Sequence, residues 1–555
     1  MAVQVPQKCT VLVIGGGPAG SYAAAALARE GIDTVLLEAD KFPRYHIGES
    51  TLPSLRNFFQ FIDFYDEFNA HDTDFIAAGG PEGYAWNLVR SESDHLLFKH
   101  AGTCGAHIFD AIKVDKIRVE PFPSETSHTS DEMWEGSKVV QPGRPVSATW
   151  VSKEGGGTGT IAFEYLIDAS GRHGILSTKY LKSRKFNRNF KNMASWAYWR
   201  SDSLYGVGTH MEGAPYFEAL QDASGWCWFM PLHDGTRSVG IVQDQATASE
   251  KKRNNPGSQS TLDFYMSSLE LAPRTKELLS GATLDSDVKS ACDWSYTSTT
   301  YHLPYARICG DAGCFIDPLF SSGVHLAITG GLSAAATISA SIRGHCDEAT
   351  AGSWHSKKTV ESYTRFFLAV SSATKQIRSQ EEPVIQDIDE EGFQRAFDLL
   401  QPIIQGTVDS DPTGKLSKSE ISKVLEFCFR AFAYVAPEQK DLLFDKLKAL
   451  GVEDERANTM TEGDLVDIYK HLTDDERRVV DTLRSRRMIR EDPFDIDSFT
   501  LDVIDGLAPN LERGNLGLIQ SDKSHLNRSH FFSPAFLDGK VPGIREESAH
   551  PLVSS

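Results

Sequence analysis

An apolar run at 9–14 stops at Gly15-Gly16-Gly17-Pro18-Ala19-Gly20 and gives way to an alanine-rich stretch at 21–30. That order predicts a buried strand, a glycine turn and a helix, because β-branched residues suit a pleated strand and alanine suits a helix interior. A second apolar run at 34–37 follows Gly31 and ends at Glu38. Together they make one βαβ unit of about thirty residues, the length that a parallel crossover requires. Between roughly 108 and 240 the pattern changes to short alternating runs at 149–152, 160–167, 195–200, 226–230 and 237–242. The last two are joined by His233-Asp234-Gly235, a hairpin signal, so an antiparallel sheet is predicted. An apolar strand at 307–309 then ends in Gly310-Asp311, and a long helix of small residues begins near Gly323. From about 356 onward the pattern is helical, at 360–378, 392–404, 418–434, 439–450 and 474–487, with an irregular tail after about Leu511.

These runs predict a mixed α/β fold: a discontinuous Rossmann-type domain at 1–120 and 285–350, an antiparallel-sheet substrate domain at 121–284, and a helical C-terminal region at 351–555 with a weakly structured tail. A length of 555 residues accommodates that division. Fifty-six Lys and Arg against 76 Asp and Glu leave a net charge of −20, which disfavours nucleic acid and anionic membrane surfaces as partners. Eight cysteines without a C-x-x-C pair read as free thiols of a reducing compartment, and residues 1–10 lack an apolar signal stretch, so a cytoplasmic location is expected. The apolar stretch at 324–342 is crowded with Gly, Ser, Thr and Ala, which suits a closely packed internal helix better than a membrane span.

Gly15, Gly17 and Gly20 have the spacing at which backbone N–H groups approach a pyrophosphate at a helix N-terminus, and Glu38 closes the next strand where a carboxylate binds a ribose hydroxyl. A dinucleotide site is therefore expected at Gly15, Gly16, Gly17, Ala19, Gly20 and Glu38. A second glycine cluster at 155–159 follows no suitable strand and opens no helix, so it reads as a hairpin turn. Residues 409–420 match the twelve-residue calcium-loop template with acids at positions 1, 3 and 12 and Gly at 6. The match is solitary and carries Pro and Thr at positions 4 and 5, which favours an ordinary interhelix loop and no metal.

Five further segments carry a resemblance. Asp168-Ala169-Ser170-Gly171 and Gly310-Asp311-Ala312-Gly313, with the first glycine loop, are similar to the FAD-dependent class that includes aromatic hydroxylases. Phe42 to Ser50 (FPRYHIGES), Trp226-Cys227-Trp228-Phe229-Met230-Pro231 and the run from Cys314 to Val324 resemble the flavin-dependent halogenases that act on phenolic and polyketide scaffolds in fungal secondary metabolism. Met230 stands where the family's W-x-W-x-I-P motif has Ile. The resemblance covers roughly 8–405. It implies FAD contacts from Arg44, Glu49 and Val324, a ribityl contact from Asp311, and chloride held by the amides around Ser322 and Gly323. Trp226, Trp228 and Pro231 would belong to a tunnel motif in which the tryptophans keep substrate from the flavin. Arg90 resembles another FAD-facing position, with a surface helix arginine as the competing reading. The resemblance also implies reduced FAD supplied by a separate flavin reductase, since only one complete dinucleotide unit is found and the cluster at 155–159 lacks the elements of an NAD(P)H site.

The family carries a lysine between the helix after G-E-S and a G-Y-x-W-N segment, where it relays hypochlorous acid toward substrate. Here the chain runs from Phe75 almost directly to Gly83-Tyr84-Ala85-Trp86-Asn87, with no lysine between Lys41 and Lys99. Three readings stay open: an exon missing from the coding sequence, a halogenase using another group, and a halogenase-like fold running different redox chemistry. The function expected is thus FAD-dependent halogenation of an electron-rich phenolic or polyketide substrate. A monooxygenase or oxidase on the same fold, or a catalytically impaired flavin-binding relative, stand as alternatives.

Overall fold

The computed structural model describes residues 4–70, 73–76, 84–121, 143–209, 211–254, 260–378, 437–450, 468–485 and 504–520. The chain opens with β1 (Lys8–Ile14), α1 (Pro18–Arg29) and β2 (Thr34–Leu37), as the hydrophobic pattern requires. Two short helices, α2 (Leu55–Phe61) and α3 (Tyr65–Asn69), precede a two-stranded ribbon of β3 (Thr73–Ile76) and β4 (Tyr84–Asn87). Then come α4 (Arg90–Thr103), β5 (His107–Phe109), β6 (Ile112–Glu120), β7 (Arg144–Ser152) and β8 (Thr158–Asp168). β1 pairs in parallel with both β2 and β8. Lying between them, it is buried on both faces, which is why its sequence shows no alternation. Val11 and Val13 face α1 and α4, while Leu12 and Ile14 face the β6–β7 side.

Past β8 the chain enters a second sheet of β9 (Arg184–Arg200), β10 (Tyr216–Ala219), β11 (Gly225–Pro231) and β12 (Thr236–Asp244). Helices α5 (Gln245–Asn254), α6 (Thr261–Leu269) and α7 (Pro273–Leu278) follow, and β13 (Thr283–Leu284) and β14 (Lys289–Ser298) complete the sheet, which is antiparallel throughout. One face, with Trp199, Cys227, Phe229, Val239 and Ile241, packs under Tyr265, Leu269 and Ala272. The other carries Trp196, Trp226, Trp228 and Met230.

The chain returns to the first sheet through β15 (His302–Leu303) and β16 (Ala306–Ile308), then enters the long helices α8 (Ser322–Arg343) and α9 (Glu348–Arg378). A Cβ on Gly331 would lie 2.5 Å from the Ala19 carbonyl oxygen, so glycine there lets α8 lie directly on α1. α8 is long and apolar enough to cross a membrane, but 83% of its apolar window is buried inside the protein, so it is a core helix.

Three boundaries differ from the sequence reading. Residues 144–168, expected in the antiparallel domain, form β7 and β8 of the first sheet. β8 alternates from Thr160 to Tyr165; its last three residues, Leu166 to Asp168, lie between β1 and β16 and are all buried. β14, expected in the first domain, pairs with β9 in the second sheet. The tail is also more regular than expected: β17 (Leu507–Asn510) and β18 (Gly517–Gln520) form a hairpin against α8. Leu516 is fully buried there, and Glu30 accepts from Gly514 N and Leu516 N while pairing with Arg343. The helices expected at 439–450 and 474–487 are present as α10 (Pro437–Ala449) and α11 (Asp474–Ser485). The helices expected at 392–404 and 418–434, and the loop at 409–420, lie outside the described residues. The 155–159 cluster is the turn between β7 and β8, closed by Ser152 N donating to the Gly157 carbonyl.

Candidate active site

The glycine loop divides into positions that pack and one that opens outward. Gly15 has φ +104°, and a Cβ there would sit 2.2 Å from the Ala169 carbonyl oxygen. A Cβ on Gly20 would come within 1.9 Å of the Gly15 carbonyl oxygen, so this glycine sets the contact between the loop and α1. At Gly17, by contrast, a Cβ would meet only Arg44 Nη2, at 3.3 Å. Gly17 is the N-cap of α1, with no side-chain cap and no acidic residue in the first turn, which leaves a loop of amides that suits an anion. Ala19 is buried against α8. Glu38 holds the loop shape: one oxygen accepts from Gly16 N at 2.6 Å and the other from Asp40 N at 2.8 Å. A carboxylate has lone pairs left for a hydroxyl after both bonds.

Arg44 reaches this opening from the loop after β2, with its guanidinium over the Phe42 ring and Nη1 3.2 Å from Asp94. Asp94 also holds Arg90 through two bonds, to Nε at 2.8 Å and Nη2 at 3.1 Å, and Arg90 Nη1 donates to the Ile47 and Gly48 carbonyls. Burial alone would raise the Asp94 pKa, but the two guanidiniums outweigh it and hold the carboxyl below its usual range. Arg90 is thus a buried strut between α4 and the Phe42–Ser50 segment, not a surface residue. The Asp94 role went unread in the sequence, although an Arg and an Asp four residues apart on one helix is a recognisable ion-pair spacing.

Asp168 is occupied by its own turn, accepting from Ser170 N at 3.1 Å and Leu176 N at 2.6 Å. Asp311 differs. Burial raises its pKa against the pull of Arg172, Arg90 and Arg184, and none of the described residues hydrogen-bonds its carboxylate. A half-buried carboxylate with free lone pairs, under the pull of three guanidiniums, suits a polyol chain. The open cradle at Gly17, the uncapped α1 amides and the unpartnered Asp311 together fit FAD.

The 314–324 run forms a turn ahead of α8. Ser321 adopts φ +53°, and Ser322 and Gly323 begin the helix without a capping side chain or an acid in the first turn. A Cβ on Gly323 would meet nothing within 4 Å, so its surroundings are open, and Val324 is buried on the next position. Asp317 anchors the turn: Leu319 N donates to it at 3.1 Å, Asn192 Nδ2 also donates to it, and burial lifts its pKa to about 6.

Trp226, Trp228 and Met230 share a face of β11 and pack against Leu319, Phe320 and Ile47, which come from the α8 turn and the Phe42–Ser50 segment. The two indole rings are 5.8 Å apart. Trp228 Nε1 donates to Ser238, and Gly240 makes room for its ring, since a Cβ there would lie 2.1 Å from it. Plain sheet core is supplied by Cys227 and Phe229 on the opposite face. Pro231 ends the strand opposite Arg237. Trp228→Ala is therefore expected to open a hole between the two halves and cost about 3–5 kcal/mol of stability, while flavin stays bound. Peroxide released per reduced flavin should rise. A variant that loses flavin and cooperative melting together would assign Trp228 to core packing alone.

Glu49 is buried, and Tyr198 OH donates to its Oε1 at 2.5 Å while Oε2 has no hydrogen-bond partner. Burial pushes its pKa up to about 7, against Ser238, Tyr198 and Arg90. Tyr198 in turn touches Tyr45 OH at 3.0 Å, and Trp196 Nε1 donates to Tyr45 at 2.7 Å. The network of Tyr45, Trp196 and Tyr198 has no local signal in the sequence, because its partners lie about 150 residues apart. The site of the expected lysine falls at the β3–β4 ribbon, where Ile76 pairs with Tyr84; residues 77–83 lie outside the described residues.

A family model described as tryptophan halogenase matches residues 10–107 and 140–366. A flavin-dependent halogenase of Acremonium egyptiacum is 50% identical over 93% of this chain and 93% of its own length. The sulochrin halogenase of Aspergillus terreus is 48% identical over 94% of this chain and 95% of its own. Among solved structures, the flavin-dependent halogenase CmlS superposes with a TM-score of 0.56 at 25% identity, covering 75% of this chain and 76% of that one. The chondrochloren halogenase CndH gives 0.57 at 23% identity over 78% and 98%, a likeness of fold.

Proposed function

The chain belongs to the flavin-dependent halogenases, an FAD-using oxidoreductase family with halide as a substrate, and from that premise we propose that it chlorinates an electron-rich phenolic or polyketide ring. Bound reduced FAD supplies the electrons with which dioxygen is reduced and the halide is made electrophilic. Arg44 and the amides at Gly17 hold the pyrophosphate, Glu38 a ribose hydroxyl, and Asp311 the ribityl chain. The amides of Ser322 and Gly323 hold chloride, with Val324 and Glu49 beside the flavin. Trp226 and Trp228, with Pro231 closing their strand, form the wall between that compartment and the ring to be halogenated. The observation that carries this reading is the face of β11 that puts both tryptophans against Leu319 and Phe320, next to the open amides of α8. The sulochrin halogenase supports a small organic substrate of the same class. A separate flavin reductase supplies the reduced flavin. All seven cysteines among the described residues are free, in keeping with a cytoplasmic enzyme.

The absent lysine sets a specific expectation. With reduced FAD, dioxygen and chloride or bromide, the protein should halogenate an added phenol, and part of the oxidising equivalents should escape to chlorinate monochlorodimedone. Efficient, regioselective product with an untouched scavenger would show that another group performs the relay. Oxygenated product without halogen would move the assignment to a monooxygenase, and no product at all to an impaired relative. NADPH alone should not bleach the bound flavin in stopped-flow absorbance; rapid bleaching without a reductase would mark a self-sufficient hydroxylase.

A further inference from the structure

Outside the roles just given, one hydrogen-bonded chain runs from a buried carboxylate to the surface. Tyr198 uses its single hydroxyl proton on Glu49 Oε1, so in the 3.0 Å contact between the two phenols Tyr45 is the donor. Trp196 Nε1 donates to Tyr45, leaving the Tyr45 proton free to point inward. Every donor in the series therefore aims at Glu49, and its outer end, Tyr45, is 51% exposed. At the inner end, Glu49 Oε2 lacks a partner although it is buried, and Ser238, which accepts from Trp228, lies beside it.

We infer that Tyr45, Tyr198 and Glu49 form a proton path that delivers one proton from solvent to the reaction compartment in each turnover. The inference rests on the halogenase reading above and deepens it. The overall reaction, FADH2 + O2 + halide anion + H+ + ArH giving FAD + ArX + 2 H2O, balances only if a proton enters with the halide. Two electrons come from the flavin and two from the aryl C–H bond and halide as the carbon–halogen bond forms. Dioxygen takes all four and leaves as two waters. Glu49 gives its proton to the oxygen that leaves as water. The carboxylate then takes the Tyr198 hydroxyl proton as the Tyr198 oxygen takes that of Tyr45, and Tyr45 takes one from solvent.

Groups around the path suit this role. Glu49 is faced by Arg90 on α4, itself paired with Asp94, by Asp234 in the β11–β12 turn, by Ser238 on β12 and by Tyr198 on β9. Burial lifts the carboxyl to about 7, so both protonation states are within reach near neutrality. Burial, and then the Glu49 charge, holds the Tyr198 phenol far above its ordinary range, so it relays a proton without ionising. Lys289 lies over the Tyr45 ring at 5.0 Å, at the outer end.

The test uses FAD-loaded protein and two readouts. Infrared difference titration should show a protonated carboxyl band with a midpoint near pH 7, absent from Glu49→Gln. Tyr198→Phe should move the midpoint upward by about one pH unit, because a hydrogen bond to the charged form is lost. Tyr45→Phe should leave it in place. In turnover, wild-type rate should fall above pH 7 as Glu49 loses its proton. Both phenylalanine variants should lower kcat at least tenfold and enlarge the solvent deuterium isotope effect, with flavin affinity within twofold of wild type. A carboxyl band that does not titrate between pH 5 and 9, or phenylalanine variants with wild-type pH profile and isotope effect, would overturn the path. If the wild type halogenates nothing, the function reading fails, and the infrared midpoints alone then decide whether Glu49 and Tyr198 are coupled as inferred.

Discussion

Gly20→Val is expected to leave no folded flavoprotein, whereas Gly17→Val is expected to give a folded protein without flavin. Overpacking costs about 1–3 kcal/mol where neighbouring side chains can yield. At Gly20 the obstacle is the Gly15 carbonyl oxygen, 1.9 Å from the added Cβ, and it is fixed between β1 and α1. The cost there should exceed that range and take up much of the about 5–15 kcal/mol that holds a typical protein together. At Gly17 only the end of Arg44 must move, so melting should change by less than about 1 kcal/mol. Its added methyl groups would instead fill the approach to the loop amides. Soluble yield, melting midpoint and flavin absorbance of the purified variants separate the two. A Gly17→Val protein with full flavin content would remove the pyrophosphate assignment, and a normally melting Gly20→Val protein would show that the loop can shift away from α1.

Asp94→Asn should be nearly as damaging, although this residue is assigned no contact with FAD. Its carboxylate is the shared partner of Arg90 and Arg44, and it is itself buried. Removing one member of a buried ion pair leaves uncompensated charge and costs about 3–5 kcal/mol. Arg44 would lose its support at the mouth of the glycine loop, so flavin affinity should fall together with stability. The pH dependence follows from the depressed carboxyl pKa. Because the folded value lies below the unfolded one, the stabilisation is complete above about pH 4 and is lost as pH falls through the lower folded value. Wild type should therefore lose more stability than Asp94→Asn on acidification below about pH 4. Equal losses in urea denaturation at pH 3 and pH 7 would show that Asp94 does not carry the charge.

The parts readable in the chain are those whose cause is local. The glycine loop was legible because backbone approach and helix start are settled by residues within one turn of each other, and Glu38 follows at the end of the next strand. The two-faced character of β11 was only half legible: a continuous apolar run says that both faces are covered, not what covers them. The sheet to which β8 belongs and the hairpin at 504–520 depend on partners far along the chain and are not legible in the sequence, and the burial of Arg90, one of two readings the sequence leaves open, is decided by contacts with the Phe42–Ser50 segment. Glu49 shows the limit most plainly. Its place in a G-E-S segment pointed to the flavin compartment, but its proton affinity comes from desolvation by β9 and β12, elements about 150 to 190 residues later. Short-range order is encoded by neighbouring residues, whereas the electrostatics of a buried group belong to whatever excludes water from it, and only the tertiary structure assembles that surrounding.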